Sequence, residues 1–198
     1  MDNSTWIKIV LVAVVVVIAS VVFITYLDTD ESNTDPNVNT GLRSTGSFDL
    51  IDENTGTFTN GSFFVIDEDG QSIIKVVANV HVGSEDIGGV AFDMPPELNV
   101  TDVLCNYQGD ISTDCIAVWT TASDLSYTTS VEIARVSSGH PAGGGDGQVI
   151  ITTQISDKID SDTTSIRIGL GSIQHDGGTT IIHPTYEIIT IPLKTPTP

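Results

Sequence analysis

A long uncharged run at residues 9–27 is the feature that most constrains this chain of 198 residues. Its 19 residues, at roughly 1.5 Å of helical rise each, match the ~30 Å hydrocarbon core of a bilayer. A soluble helix of this length would keep a polar face, whereas this run is apolar nearly all round. The sequence therefore predicts a transmembrane helix at residues 9–27, followed by a separate domain.

The flanks of this run predict its orientation. Lys8 precedes it, and Asp28, Asp30 and Glu31 follow it. Because basic residues stay on the cytoplasmic side, we expect residues 1–8 to be a cytoplasmic stub. A cleaved signal peptide is the alternative, but it would have a shorter apolar core and a small-residue cleavage site. We therefore expect a single-pass protein of the cell membrane with its C-terminal domain outside.

The residues after the run are strongly acidic, with 25 Asp and Glu against 6 Lys and Arg. This balance argues against nucleic-acid binding, which needs a basic surface. It is typical of a protein that stays soluble in a salty exterior. A segment of this length can bury one core, so we expect one domain.

The composition places a spacer between the run and that domain. Residues 28–46 are rich in Asp, Asn, Thr, Ser, Pro and Gly. Such a stretch buries too little apolar surface to offset the entropy of ordering it. We predict a flexible linker at residues 28–46 and a folded domain at residues 47–195.

Cysteines and sequons add predictions for the outside domain. Cys105 and Cys115 are its only cysteines, and in an oxidising exterior their default is a disulfide closing a short loop. Sequons at Asn60 and Asn99 predict glycosylation on the outside face.

The rest of the chain has the pattern of β-strands and no helical period. Short β-branched and aromatic runs alternate with Gly, Pro, Asp and Asn turns, which is typical of an antiparallel sandwich or barrel. The runs are residues 63–66, 73–82, 88–92, 98–104, 116–121, 130–136, 148–155, 165–173 and 187–193.

Motifs for catalysis or metal binding are weak. The histidines lack metal-ligand spacing, and no nucleophile motif occurs. Acidic clusters at residues 67–70 and 160–162 offer oxygen ligands for calcium but lack the distal Glu of a full loop. The first also predicts a hairpin turn closed by Asp69-Gly70. We expect no enzyme activity, no resident metal and no cofactor.

Two segments resemble the cohesin module. Residues 87–103 are similar to the cohesin stretch in which a strand ends in an acidic-proline turn and a Leu starts the next strand. Residues 131–151 are similar to its exposed strand, glycine-rich loop (residues 143–147) and buried strand. The resemblance covers about residues 60–193 and implies an all-β, nine-stranded antiparallel jelly-roll sandwich, related in fold to some carbohydrate-binding modules.

The resemblance also implies a partner and a face. Cohesins bind a dockerin, a small calcium-bound helical module, so calcium would belong to the partner. The docking face would be made by the third, fifth, sixth and eighth strands. Its outward-facing candidates here are Thr120, Glu132, Arg135 and Arg167.

These expectations combine into a non-catalytic cell-surface module that binds a dockerin-bearing protein or a carbohydrate ligand such as a polysaccharide. The alternative is a structural β-sandwich protein of an archaeal envelope or motility apparatus. It would brace a surface layer, or a motility filament as stator components do. The identity of the partner separates the two.

Overall fold

The computed structural model describes seven stretches of the chain, and all of them belong to β-strands or their connections. These are residues 41–68, 70–109, 116–120, 126–134, 144–156, 161–174 and 180–193. The predicted transmembrane segment at residues 9–27 lies outside them. No helix long and apolar enough to cross a membrane occurs in the described residues.

The described residues form eleven strands in two antiparallel sheets. The strands are β1 (Gly41–Ile51), β2 (Phe58–Glu68), β3 (Gln71–Val82), β4 (Val90–Met94), β5 (Leu98–Cys105), β6 (Gln108–Gly109), β7 (Ile116–Thr120), β8 (Thr129–Ile133), β9 (Gly145–Ile155), β10 (Thr163–Gln174) and β11 (Thr180–Pro192). All nine predicted runs overlap a strand, and β1 and β6 are additional. The predicted all-β class is confirmed.

The strands divide between the sheets in a non-sequential order. Sheet A has the order β1-β2-β3-β9-β5, with the short β6 also paired to β9. Sheet B has the order β11-β10-β4-β8-β7. Neighbours distant in sequence, such as β3 and β9, bring together residues that no local pattern connects.

Alternation along each strand explains why the sheets stack. In β3, four alternate residues are buried: Ile74, Val76, Ala78 and Val80. Lys75, Val77 and Asn79, which lie between them in sequence, are half-buried. A period of two places these apolar residues on one side of the strand. Each sheet therefore offers one apolar side, and the apolar sides form a common core.

The core lies between the sheets. Phe48 of sheet A meets Phe92 of sheet B edge to face, with ring centroids 6.3 Å apart. Ile133, Ile151 and Leu170 are fully buried around them. Each such side chain contributes roughly 1.5–3 kcal/mol when it leaves water. The fold is thus a β-sandwich.

The hairpin of β2 and β3 agrees with the residues predicted for its turn. β2 pairs with β3 out to Glu68 and Gln71, so the chain reverses direction between these two residues. Asp-Gly is a preferred pair in two-residue hairpin turns. The hairpin expected at this acidic cluster is confirmed.

β1 corrects the predicted domain boundary. The sequence predicts a linker up to residue 46, yet Gly41–Gly46 pairs with β2 from Asp67 to Phe63. This edge segment is polar and is held by hydrogen bonds, including one from Thr45 Oγ1 to the Phe63 carbonyl at 3.0 Å. Because little apolar surface is buried there, hydrophobic pattern alone misses it.

The glycine-rich stretch is a second correction. Residues 143–147 resemble a loop, but Gly145–Gly147 belongs to β9 and pairs with Val80–Val82. A Cβ on Gly147 would lie 2.2 Å from the Tyr107 Cα. Glycine is needed here because two backbones approach closely. Glycine inside a strand often marks such a close approach, so a glycine-rich stretch does not have to be a loop.

Candidate functional site

Sheet B brings together the strands that the resemblance assigns to a docking face. The third, fifth, sixth and eighth predicted strands correspond to β4, β7, β8 and β10, which are consecutive neighbours in the order β10-β4-β8-β7. β11 extends this sheet beside β10. The side of sheet B that faces away from the core is hereafter its outer face.

Backbone register aligns one row of residues across sheet B. Arg167 of β10 pairs with Asp93 of β4 and with Ile188 of β11. Asp93 also pairs with Ser130 of β8, which pairs in turn with Trp119 of β7. The row therefore runs across all five strands of sheet B.

Arg167 is the best-defined of the predicted site residues. Its Nε donates to Asp93 Oδ2 at 2.8 Å, and its guanidinium carbon lies 4.5 Å from the centre of the Tyr127 ring. The Arg167 side chain is 33% exposed, whereas that of Asp93 is only 12% exposed. Ion pairing and cation–π contact together fix the guanidinium while leaving part of it open to solvent.

Glu132 is an outward-facing but buried residue. It alternates with the core residues Val131 and Ile133, so it lies on the outer side of β8, but it is only 6% exposed. Its register partner Ala91 is small and fully buried, so this part of the outer face is sunken. Glu132 therefore faces outward but is buried, and its role in docking stays a prediction.

Two predicted site residues remain, and the structure describes only the backbone of one of them. Thr120 is the last residue of β7 and pairs with Thr129. Nothing of its side chain is described, and Arg135 lies outside the described residues. Both stay predictions.

β11 supplies exposed residues that the sequence did not single out. Tyr186 is 62% exposed and Ile188 is 53% exposed. Tyr186 pairs with Gly169, so it stands beside a position with no side chain, and Ile188 stands beside Arg167. The alternation in β11 predicts that Tyr186 and Ile188 point to the same side of the strand. It does not predict that both side chains stay exposed to solvent.

The outer face of sheet A has a different chemistry. A row of amides crosses it, because Asn60 pairs with Asn79 and Asn79 pairs with Gln148. Asn79 Nδ2 donates to Asn60 Oδ1 at 3.0 Å, and Gln148 Nε2 donates to Asn79 Oδ1 at 2.8 Å. This amide row of Asn60, Asn79 and Gln148 is held in one direction by its own hydrogen bonds.

An aromatic pair borders the amide row. The Phe58 and His81 rings stack with centroids 4.9 Å apart. His81 Nδ1 lies 2.7 Å from Asp146 Oδ1, on the next strand. Stacking on Phe58 and the contact with Asp146 hold the His81 ring in place, and the ring is partly exposed to solvent.

One end of the sandwich is joined by a buried polar cluster. Asp86 is fully buried and accepts hydrogen bonds from the Gly88 amide and the Ser172 hydroxyl, both at 2.8 Å, and from the Thr57 hydroxyl. These hydrogen bonds satisfy polar atoms that would otherwise be costly to remove from water. Asp86 thereby ties the segment before β4 to strand β10 of sheet B and to the connection between β1 and β2 of sheet A.

Asp52 completes this end cluster. Its carboxylate accepts hydrogen bonds from Thr55 Oγ1 at 2.7 Å and Thr185 Oγ1 at 3.1 Å. Burial alone would raise the pKa of Asp52, but hydrogen bonds from Thr55, Thr185 and Asn54 outweigh it and lower the pKa below its ordinary value. The carboxylate therefore stays charged and bound to hydroxyl and amide donors.

A bulge in β10 makes room for this cluster. The register with β11 shifts between Leu170 and Ser172. Gly171 at the shift has a φ of +74°, and a Cβ there would lie 2.3 Å from Asp52 Oδ2. Only glycine accommodates both that backbone conformation and that contact.

Metal ligands do not gather in the parts of the chain that are described. No group of three or more His, Cys, Asp or Glu residues is placed there to hold a metal ion. Asp67, from the first cluster considered for calcium, instead forms an ion pair with Arg43 and accepts a hydrogen bond from Ser72 at 2.9 Å. Asp160, from the second cluster, lies outside the described residues.

The predicted disulfide and sequons have described members. Cys105 ends β5, and no free cysteine occurs among the described residues. Cys115 lies outside them, so the disulfide stays a prediction. Asn60 is half-buried in β2, and Asn99 is exposed in β5.

Comparison with protein-family models gives no match, and no curated protein matches the chain.

Proposed function

We propose that this chain is a non-catalytic cell-surface module that binds a protein partner through the outer face of sheet B. In this account the segment at residues 9–27 anchors the chain and the sandwich is displayed outside. The sandwich is of the jelly-roll type and cohesin-like. The observation that carries the proposal is the exposure of Tyr186 and Ile188 on the same face as the anchored Arg167.

The residue types on this face favour a protein partner. Aromatic residues and arginine are enriched at the centres of protein interfaces, where they fill pockets on the partner. Tyr186 offers a large rigid ring, and Arg167 offers a cation whose direction is fixed by Asp93 and Tyr127. A fixed side chain loses less entropy when a partner binds it.

The order of strands supports a sheet face as the docking surface. Arg167 of β10 and Tyr186 and Ile188 of β11 form the accessible part of the outer face, because outer residues of β4 and β8 such as Asp93 and Ser130 are already buried. A partner can cover these three side chains without reshaping the fold. β10 lies between β11 and β4 in sheet B, so Arg167 stands on a strand that is paired along both edges. The acidic composition of the domain favours a partner with basic residues around the contact.

The deep carboxylates support a structural role for the end cluster and not a catalytic one. Asp52 and Asp86 are buried and accept hydrogen bonds from hydroxyl and amide donors. A catalytic carboxylate needs access to a substrate. The function we propose is therefore recognition.

The test is a matched pair of substitutions in the full-length protein. Tyr186→Ala with Ile188→Ala removes the exposed apolar area of sheet B. Leu104→Ala is the control, because Leu104 is 58% exposed on the outer side of sheet A. Partners retained by each affinity-tagged protein on its own intact cells are quantified by mass spectrometry.

We expect one protein partner to be retained by the wild type and by the control but not by the sheet B variant. If both positions are hot spots, loss of about 2 kcal/mol weakens binding roughly thirtyfold. A surface-layer or motility protein as that partner would support the structural alternative over the cohesin-like one. A partner that is lost from the Leu104 variant and kept by the sheet B variant would refute the proposed face.

A further inference from the structure

Both sequons of the described chain lie on the outer face of sheet A. Asn60 belongs to the amide row in β2. Asn99 of β5 pairs with Gln154 of β9, which alternates with the buried Ile151, Thr153 and Ile155 in the same way as Gln148. The outer face of sheet B carries no sequon among its described residues.

Each acceptor nitrogen is placed for modification. Asn99 is exposed near the start of an edge strand of sheet A. Asn60 is half-buried, but its Oδ1 accepts the hydrogen bond from Asn79, and this fixes the amide so that Nδ2 is not used in the amide row. The hydroxyl of each sequon is also on β structure, at Ser62 and Thr101.

The two sites lie apart on this face, one on β2 and one on the edge strand β5. They are separated by three inter-strand spacings, or ~14 Å, because the order between them is β2-β3-β9-β5. Along the strands, the row of Gln148 and the row of Gln154 are six residues apart, or ~20 Å. An oligosaccharide on each asparagine would reach the part of the face between them.

An apolar row occupies that part of the face. Val77 of β3 pairs with Ile150 of β9, and Ile150 pairs with Leu104 of β5. Val77 and Ile150 are half-buried, and Leu104 is 58% exposed. Contiguous exposed apolar surface on a sheet favours association with other chains unless it is covered.

We propose that N-linked oligosaccharides on Asn60 and Asn99 cover the outer face of sheet A and its apolar row. In each transfer, sugar C1 leaves a lipid-linked oligosaccharide phosphate and bonds to the asparagine Nδ2. The amide loses one proton, and the lipid phosphate departs with the bonding electron pair. The inference rests on the proposed function, because the domain must be displayed outside to be modified.

With this covering, the outer face of sheet A would be shielded and that of sheet B would stay open to a partner. Sugars on sheet A exclude other chains from that side and leave the outer face of sheet B as the accessible protein surface. Asn79 and Gln148 lie beside Asn60, and their amides suit hydroxyl groups of the attached sugars. Asn99 should be modified at higher occupancy than Asn60, because it is exposed whereas Asn60 is half-buried within the sheet.

The test uses the full-length protein purified from its native membrane. Glycopeptide mass spectrometry should find an oligosaccharide on Asn99 in most molecules and on Asn60 in a smaller share. Ser62→Ala with Thr101→Ala should remove both masses and leave the asparagines in place. Ser62→Thr is the control, since threonine preserves the sequon and should preserve the modification of Asn60.

The double variant also tests the covering. Loss of both oligosaccharides should raise the fluorescence of an apolar surface dye several-fold, and adding Leu104→Ser should reverse part of that rise. Unmodified asparagines in a protein that a membrane-impermeant label reaches would overturn this inference and leave the proposed function intact. Failure of the label to reach the domain would overturn both.

Discussion

The outer faces of the two sheets hold their polar side chains in place by different interactions. Sheet B buries charge there, with Asp93 paired to Arg167 and Glu132 sunk beside Ala91. Sheet A carries amides that bond to one another, beside a partly exposed apolar row. A face built on a partly buried ion pair is rigid and directional, whereas an amide row is neutral and tolerant of water.

This difference indicates where a partner can be selective. A charged side chain held by Asp93 and Tyr127 discriminates among partners by sign and geometry. Uncharged amides provide hydrogen bonds that many hydroxyl-bearing groups can satisfy. This contrast is the basis for proposing selective protein docking on sheet B and a covering of sugars on sheet A.

The largest expected effect separates the faces by stability. Arg167→Ala leaves the Asp93 carboxylate, only 12% exposed, without its cation and removes the contact with Tyr127. We expect the full-length protein in detergent to lose about 1–3 kcal/mol of unfolding free energy, below the value for a fully buried pair because Arg167 is partly exposed. Denaturant titration measures the loss.

Asn79→Ala is the matched change on sheet A. It removes hydrogen bonds to Asn60 and Gln148 at a half-buried position and should destabilise by about 1 kcal/mol or less. In a double-mutant cycle, Arg167→Ala and Asp93→Ala should be less than additive, while Arg167→Ala and Asn79→Ala should add. A larger loss from Asn79→Ala than from Arg167→Ala would contradict the assignment of a rigid, charge-anchored face to sheet B.

A smaller effect concerns the end cluster that joins the sheets. The pKa of Asp52 is lower in the folded protein than its ordinary value, so the folded state binds fewer protons than the unfolded state. This stabilisation is present above the unfolded pKa of about 4 and is lost as pH falls through the folded pKa.

The check on Asp52 is a comparison of pH profiles. Unfolding free energy of the wild type should fall more steeply below about pH 4 than that of Asp52→Asn, which cannot titrate. Asp49→Asn is the control, because Asp49 is exposed on β1. Parallel profiles for the wild type and Asp52→Asn would show that this carboxylate does not help join the sheets.

Much of the fold follows from local pattern. Alternation in Ile74, Val76, Ala78 and Val80 predicts both the strand and its buried side. Asp69-Gly70 predicts the turn between β2 and β3, and the two are paired through Glu68 and Gln71. Such signals work because side-chain period and turn geometry depend only on neighbouring residues.

Features that depend on distant partners were harder to predict. Gly41–Gly46 forms a strand because β2 offers hydrogen bonds, although these residues bury little apolar surface. Burial of Glu132 depends on small neighbours across the sheet, and Asp52 meets Thr185 across 133 residues. The resemblance anticipated which strands share sheet B, but exposure of Tyr186 and Ile188 required the three-dimensional arrangement.

The central claim is that sheet B, and not sheet A, meets the protein partner, and site-specific photo-crosslinking on intact cells tests it most directly. A photoreactive amino acid replaces Ile188 in one full-length protein and Leu104 in another, since these side chains are exposed to a similar extent on opposite sheets. We predict a discrete protein adduct from position 188 and none from position 104. An adduct from position 104 with none from position 188 would contradict the account.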